Sequence, residues 1–123
     1  MSAPAEVRLL AKLFRGLADR SRLAILEALL RGPRNVTALV AATGAPQPSV
    51  SAHLACLYCC GLVARETRGR FAYYRIRSGG TRRLLRQAGR MLAEVGGHID
   101  ACGRYEERTA PRRARVRTAA AQA

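Results

Sequence analysis

The chain has 123 residues, enough for one compact domain with a modest core. It carries 22 basic against 8 acidic residues, a net charge of +14, and every basic residue except Lys12 is arginine. Such an excess favours a polyanionic partner, nucleic acid before membrane, because positive charge alone supplies affinity for phosphates. No apolar run approaches the roughly 18 residues of a membrane span, and the N-terminus lacks a signal-peptide layout. We therefore expect a cytoplasmic protein whose four cysteines are thiols or metal ligands rather than structural disulfides.

Two amphipathic helices are predicted at the start of the chain. The first has apolar residues at helical spacing and stops at Gly16. These residues are Val7, Leu10, Ala11 and Phe14. The second begins at a cap supplied by Asp19 or Ser21 and ends at Gly32. Its predicted inner stripe consists of Leu23, Leu26 and Leu30, with Ile25 and Leu29 beside them.

The next segment has the pattern of a helix-turn-helix. Asn35 is predicted to cap a short helix that runs through Thr43 and is closed by Gly44. A second helix opens near Pro48, where the missing N–H of proline costs little. Two short helices joined by a glycine-containing turn are typical of this DNA-binding motif.

A β-hairpin and a long helix follow. LVARE and FAYYRI predict two short strands around an arginine-rich tip, with Gly69 in the turn. The run Gly79-Gly80-Thr81 then breaks the chain and is predicted to cap a helix, which residues 96–97 (Gly-Gly) should weaken or bend. Its apolar stripe is Leu84, Leu85, Ala88, Met91, Leu92, Val95 and Ile99. Residues 104–123 have no sustained stripe and are expected to form a flexible basic tail.

The order of elements predicts a mainly α winged helix-turn-helix with a small β-hairpin. Residues 1–103 would form the DNA-binding and dimerisation domain. The first and last helices carry more apolar surface than so small a core can cover, which favours a homodimer. The two-fold symmetry of a homodimer suits palindromic operator DNA.

In this architecture the second helix of the motif enters the major groove with its N-terminal residues. The side chains predicted to contact DNA from this helix are Gln47, Ser49, Ser51, Ala52 and His53. Gln can pair with adenine through two hydrogen bonds, and Ser can contact bases or phosphates. From the hairpin, Arg65, Arg68 and Arg70 are predicted to meet phosphates or the minor groove.

Three stretches carry a family resemblance over about residues 8 to 103. They are LFRGLADRSRLAILEALLRGP, NVTALVAATGAPQPSVSAHLACL and GLVARETRGRFAYYRI. Together they resemble the ArsR/SmtB family of dimeric winged-helix metal-sensing repressors, and the SVSxHLxxLxxxGLV pattern is the most specific part. The chain departs from the family at Arg20, where a proline is usual.

The resemblance implies three places for a metal sensor site. The first helix of the motif reads VTALV and lacks the thiols of arsenic and cadmium sensors. The last helix offers only Glu94, His98 and Asp100 beside a Gly-Gly pair, so a zinc site there is not expected. The remaining place is the recognition helix, whose end carries Cys56, Cys59 and Cys60.

Helical geometry separates these three thiols. With Val50 taken as zero, Cys60 lies about 80° and Cys56 about 120° to one side of the buried stripe, whereas Cys59 points nearly opposite the core. Cys56 and Cys60 are thus an i, i+4 pair, with Cβ atoms about 5–6 Å apart. A disulfide needs about 3.5–4.5 Å between Cβ atoms. The spacing therefore favours a shared metal ion over a disulfide.

CxxxC on the recognition helix, with one more cysteine in the C-terminal segment, resembles the cadmium- and lead-sensing CmtR branch of the family. That resemblance implies Cys56, Cys60 and Cys102 as metal ligands that join two protomers. Soft thiolates favour soft metals, so Cd(II) or Pb(II) is the expected inducer, ahead of As(III) or Zn(II). Cys59 has no counterpart in that pattern and is considered only as a candidate additional ligand.

Other functions are compatible with parts of the pattern. An arsenite sensor or a thiol-redox or sulfur-species sensor would use cysteines on the same fold. A constitutive DNA-binding protein with incidental thiols is a further alternative. Cys56-Leu-Tyr-Cys59 also matches the CxxC of dithiol oxidoreductases. These enzymes need the first cysteine at a helix N-terminus, whereas here it lies toward the C-terminal end, so no enzyme is expected.

Overall fold

The structure is a computed structural model that describes residues 3–104. The helices are α1 (Ala3–Leu17), α2 (Arg20–Leu29), α3 (Val36–Thr43), α4 (Gln47–Cys59) and α5 (Gly79–Ala101). The strands are β1 (Arg34–Asn35), β2 (Val63–Arg68) and β3 (Phe71–Ile76). This confirms the predicted winged helix-turn-helix. Apart from residue 104 itself, the predicted basic tail lies outside the described residues. None of the helices in residues 3–104 has the length and apolar character needed to span a membrane.

The core lies in the part of the chain that ends at Arg86, and α2, α3, α4 and the sheet all contribute to it. The fully buried large side chains are Ile25, Leu26, Leu29, Leu39, Val50, Leu54, Leu57 and Val63. The predicted inner stripe of α2 is wrong at Leu23, which is 39% exposed. Ile25 and Leu29, predicted to lie beside the stripe, are fully buried together with Leu26, and Leu30 is only partly buried.

Side-chain caps fix where the helices of the motif begin. The Asp19 carboxylate accepts a hydrogen bond from the Arg22 backbone N–H at 2.9 Å, so Asp19, not Ser21, caps α2. Asn35 caps α3 in the same way through the N–H of Ala38, at 2.8 Å. Gly44 ends α3 in the left-handed region with φ 74°, which glycine adopts without strain. These caps satisfy N–H and C=O groups that the helices leave free.

The sheet has three antiparallel strands in the order β1-β3-β2. The predicted hairpin is β2 and β3, joined by a tight turn in which Gly69 has φ 62°. Strand β1, in which Arg34 pairs with Tyr74 and Asn35 with Tyr73, was not predicted. Two residues are too short to show the alternation that identifies a strand.

Helix α5 begins at Gly79, so the run Gly79-Gly80-Thr81 lies inside the helix and the prediction that this run caps it is wrong. Its first turn is held by Ser78, whose hydroxyl accepts a hydrogen bond from the Thr81 N–H at 3.2 Å. Residues 96–97 do not interrupt the helix. Leu84 and Leu85 pack against the core, and residues from Gln87 onward form a separate unit. Among its described residues, 87–104, the exposed large apolar side chains are Met91, Leu92 and Ile99.

The charge of the Asp19 cap predicts a dependence of stability on pH. Partial burial raises the pKa of Asp19, but hydrogen bonds from the Arg22 and Ser21 N–H groups and the charges of Arg22 and His53 outweigh it and lower the pKa below 3.8. A carboxylate with a lowered pKa stabilises the fold above its unfolded-state pKa, and this contribution disappears as pH falls through the folded-state pKa. Asp19→Asn keeps a capping oxygen and removes the charge.

We therefore expect Asp19→Asn to be less stable than wild type at neutral pH, with the difference shrinking below about pH 4. Thermal unfolding of both proteins at one protein concentration, from pH 7 to pH 3, measures this difference. A constant difference at every pH would mean that the carboxylate charge contributes nothing.

Candidate nucleic-acid interface and thiol cluster

Helix α4 is anchored by one face and leaves the others accessible. Val50, Leu54 and Leu57 are at most 1% exposed, as their spacing predicts. Among the side chains predicted to contact DNA, Gln47, Ser51 and Ala52 are exposed, whereas Ser49 and His53 are half-buried. The helix starts after Pro46, which makes no side-chain capping hydrogen bond. The N-terminal half of α4 therefore presents small and polar side chains to solvent.

His53 is engaged by the protein itself. The Arg22 guanidinium Nη1 lies 3.3 Å from His53 Nδ1, and the Asp19 carboxylate lies 3.9 Å from His53 Nε2. Because arginine has only donors, Nδ1 must accept this hydrogen bond and the ring proton belongs on Nε2. Both ring nitrogens thus face protein groups.

The register of the hairpin β2–β3, which we call the wing, separates its arginines. Side chains alternate between the two faces of a strand. Arg65 pairs with Tyr74 and lies on the face that carries the buried Val63, whereas Arg68 lies on the opposite face. Arg70 follows Gly69 in the turn. The three predicted arginines are all exposed, but they do not form one patch.

Glu66 is a feature of the wing that the sequence analysis missed. Its carboxylate lies 3.5 Å from Arg68 Nε and 3.9 Å from Arg75 Nε. The Arg68 guanidinium also lies 5.0 Å from the centre of the Tyr73 ring, close enough for a cation–π contact. Glu66 ends the predicted strand LVARE, and Arg68 follows two residues later in the predicted tip; this i, i+2 spacing was the available signal. Exposed ion pairs of this kind stabilise little, so the charge of Glu66 matters chiefly to what approaches the wing.

The thiol cluster, Cys56, Cys59 and Cys60, lies at the exposed C-terminal end of α4. Helix α4 ends at Cys59, and the N–H of Cys60 still donates to the Cys56 carbonyl at 3.0 Å. Cys56 is close enough to Cys60 to contribute to raising its pKa. The sequence-predicted pair is therefore together in space within one chain.

Two backbone hydrogen bonds after the thiol cluster order the chain around Cys60. The Gly61 N–H donates to the Tyr58 carbonyl at 3.1 Å, and the Leu62 N–H donates to the Leu57 carbonyl at 3.0 Å. These two bonds, with φ 79° at Gly61, form a Schellman motif. The turn fixes the backbone at Cys60, and α4 fixes it at Cys56. The Cα positions of both cysteines are therefore defined.

The environment of Cys60 raises its pKa. Partial burial is the largest cause, and the neighbouring Cys56 adds to it through its charge and its hydrogen bond, followed by the charge of Cys59. The Lys12 ammonium on α1 acts in the opposite direction. Since metals bind the thiolate, ligation by Cys60 would release a proton and strengthen as pH rises.

The described residues of one chain supply an incomplete metal site. Two adjacent exposed thiols suit a soft metal ion. However, no group of three His, Cys, Asp or Glu side chains within residues 3–104 is arranged to hold a metal. Cys102, the remaining predicted ligand, follows α5 and is half-buried, and its N–H donates to the Ile99 carbonyl at 3.1 Å.

The fold defines a winged-helix DNA-binding protein. Residues 19–65 match the family described as "Bacterial regulatory protein, arsR family". The chain is 36% identical over 94 residues to the "Probable mercury resistance operon repressor" of Streptomyces lividans, a match covering 76% of this chain and 75% of that protein. It therefore belongs to the arsR family and is a transcriptional regulator rather than an enzyme.

One further relative and two solved structures are also similar to this chain. The HTH-type transcriptional regulator CmtR of Mycobacterium tuberculosis is 42% identical over 76 residues, covering 62% of this chain and 64% of CmtR. The crystal structure of M. tuberculosis Rv0081 superposes with a TM-score of 0.72 at 32% identity, covering 81% of this chain and 100% of that one. The solution structure of the homodimeric winged helix-turn-helix domain of Mycobacterium bovis Mb0332 gives a TM-score of 0.67 at 30% identity, covering 86% and 97%.

The position of Glu66 predicts an effect on DNA affinity. Glu66→Gln should tighten binding to any duplex several-fold and steepen its salt dependence, because Arg68 and Arg75 lose their competing carboxylate. Fluorescence anisotropy with one labelled duplex at two salt concentrations measures both quantities. Glu27→Gln, an equal charge change at an exposed position of α2, is the matched control. Equal tightening by both variants would mean that only net charge matters.

Proposed function

We propose that this regulator is a metal-responsive repressor whose apo homodimer binds operator DNA and is released by a soft thiophilic metal ion, Cd(II) or Pb(II). The observation that supports this most is the pair of exposed thiols on α4. Cys56 lies on α4 and Cys60 is the C-terminal cap of that helix, whose N-terminal half presents the side chains predicted to contact DNA. One rigid element thus carries both DNA-reading and metal-binding groups.

The proposed DNA interface has two parts. On α4 the base-reading positions are Gln47, Ser49, Ser51 and Ala52. On the wing Arg65, Arg68 and Arg70 contact phosphates or the minor groove from its two faces and its tip. The net charge of +14 supports this role, because each phosphate contact releases counterions and adds affinity.

Dimerisation is supported by apolar side chains that the single chain leaves exposed. Helix α1 exposes Val7, Leu9, Leu10 and Phe14, between 40% and 63% each. Helix α5 exposes Met91, Leu92 and Ile99, between 50% and 54% each. Burial of these side chains against a second copy would return about 25 cal/mol for each Å² covered. The two-fold axis would then match a palindromic operator.

In the proposed metal site Cys56 and Cys60 of one subunit are joined by Cys102 of the other. Three thiolates suit soft ions such as Cd(II) and Pb(II). Cys59 is exposed beside the pair and is available as an additional ligand. Ligation across the dimer would tie the C-terminal end of α4 to the partner subunit and change the separation of the two recognition helices. By linkage, operator DNA must then weaken metal affinity by the same factor as metal weakens DNA affinity.

Two alternatives concern the signal rather than the fold. Arsenite also takes three thiolates, and a thiol-redox or sulfur sensor would use the same cysteines without metal. The name of the Streptomyces lividans relative adds Hg(II) to the soft ions worth testing. Zn(II) is less favoured, because the proposed ligands are all thiolates.

Serine substitutions test the site. Cys56→Ser and Cys60→Ser should each abolish the thiolate-to-metal absorbance on adding Cd(II) or Pb(II), and should abolish DNA release, while apo DNA binding stays unchanged. Cys59→Ser, one helical position away, is the matched control and should have a smaller effect. Absorbance titration and DNA-binding anisotropy under reducing conditions measure both. Loss of sensing in Cys59→Ser alone would contradict the chosen pair.

A mixed dimer tests whether Cys102 acts across the dimer. One subunit carries Cys56→Ser and its partner carries Cys102→Ser. If the ligands come from opposite subunits, the intact helix of the second subunit meets the intact Cys102 of the first, and one site survives. Tight metal binding at half the wild-type stoichiometry is therefore expected. Loss of all tight binding would mean that each site is built within one chain.

A further inference from the structure

Arg22 makes contacts with three separate parts of the fold. Its Nε donates a hydrogen bond to the Gly16 carbonyl, near the end of α1. Its backbone N–H donates to the Asp19 carboxylate that caps α2. Its Nη1 donates to His53 Nδ1 on α4, 31 residues away in sequence. We call Asp19, Arg22 and His53 the Arg22 network.

This network supplies what the apolar anchor of α4 lacks. Val50, Leu54 and Leu57 hold α4 by burial, which is strong but not directional. Hydrogen bonds prefer defined distances and angles. His53 lies beside Leu54 in sequence and is half-buried, so its contact with Arg22 opposes rotation of α4 about its own axis. That rotation is the motion that would turn Gln47 and Ser51 away from base edges.

The chemistry of the network explains why its central residue on α4 is a histidine. Arg22 needs an acceptor, which Lys or Arg at position 53 could not provide. Asp19 faces the other ring nitrogen at 3.9 Å and, with Arg22, makes a local group of opposite charges. The side chains of His53 and Asp19 are only 22% and 35% exposed. Both ring nitrogens of His53 therefore already face side chains of the protein, Arg22 and Asp19.

We propose that His53 and Arg22 are positioning residues that set the orientation of the recognition helix, and that His53 does not read a base. This rests on the role of α4 in the proposed function. A base-reading histidine would change sequence preference when replaced. A positioning histidine would weaken binding to all duplexes and could be replaced by another acceptor.

The test compares full-length variants on a duplex selected from a randomised library by the wild-type protein. His53→Leu removes the acceptor, whereas His53→Asn places an amide oxygen near the position of Nδ1. We expect His53→Leu to lose about tenfold in affinity, the scale of one hydrogen bond to a charged group. His53→Asn should stay within about threefold of wild type, since it restores the acceptor. Library selection with each variant should recover the wild-type sequence.

Arg22→Lys should lose as much as His53→Leu, because a single ammonium cannot reach both the Gly16 carbonyl and His53. The double variant should be no weaker than the weaker single variant, as expected for two residues of one contact. Arg31→Lys, at an exposed arginine just beyond α2, is the matched control and should bind like wild type. Circular dichroism and thermal unfolding identify folded variants. If Arg22→Lys does not fold, the comparison of His53→Leu with His53→Asn still decides whether the acceptor at position 53 matters.

Three results would overturn the positioning role. Equal losses in His53→Leu and His53→Asn would show that the acceptor is irrelevant. A changed base preference at one operator position would make His53 a base-reading residue. Additive losses in the double variant would show that Arg22 and His53 act separately. Failure of the wild-type protein to enrich any sequence is a distinct outcome, which removes the reading role of α4 and the positioning role with it.

Discussion

The burial of one face of α4 is the constraint on which the remaining structure depends. Val50, Leu54 and Leu57 are removed from solvent by side chains of α2, α3 and the sheet. Once that face is fixed, helical geometry assigns every other residue of α4 to a direction. His53 lies on the same flank of α4 as Cys56 and Cys60, so the half-buried His53 and the thiols are separated along the length of the helix and not around it. The proposed DNA contacts and the proposed metal ligands therefore lie toward opposite ends of α4.

The same burial limits how a signal at the thiols could act. Allosteric coupling energies are typically about 1–3 kcal/mol. Withdrawing even one large apolar side chain from a core costs about 1.5–3 kcal/mol, and Leu54 and Leu57 lie on either side of Cys56 in sequence. Pulling α4 out of the core would withdraw Val50, Leu54 and Leu57 together, which costs more free energy than a typical allosteric coupling. In the proposed dimer, α4 should therefore shift together with its core, and the two subunits should reorient as rigid bodies.

Local signals in the sequence predicted most of the fold. The caps Asp19 and Asn35, and the glycines at positions 44 and 69, identified α2, α3 and the wing, because each acts within a few residues of itself. The thiol pair was accessible for the same reason, since helical spacing alone brings Cys56 and Cys60 together.

The features that were missed depend on residues far apart in the chain or on a choice between neighbours. β1 exists only through its pairing with β3, and the contact between Arg22 and His53 requires α2 to lie beside α4. Leu23 repeats at the correct period, but packing selected the adjacent face of α2. At the start of α5 several small residues could cap, and Ser78 rather than Thr81 supplies the oxygen. Periodicity cannot resolve such choices.

The short strand β1 has a consequence for the length of DNA that one subunit can recognise. Asn35 both caps α3 and pairs with Tyr73 of the wing, so the helix-turn-helix and the wing share a residue. Neither part can move relative to the other without breaking a helix cap or a strand pair. In the proposed interface, the distance between the major-groove contact of α4 and the adjacent contact of the wing is therefore fixed by the fold. A half-site with one base pair inserted between these proposed contacts would lose one of the two, even with every contacted base unchanged.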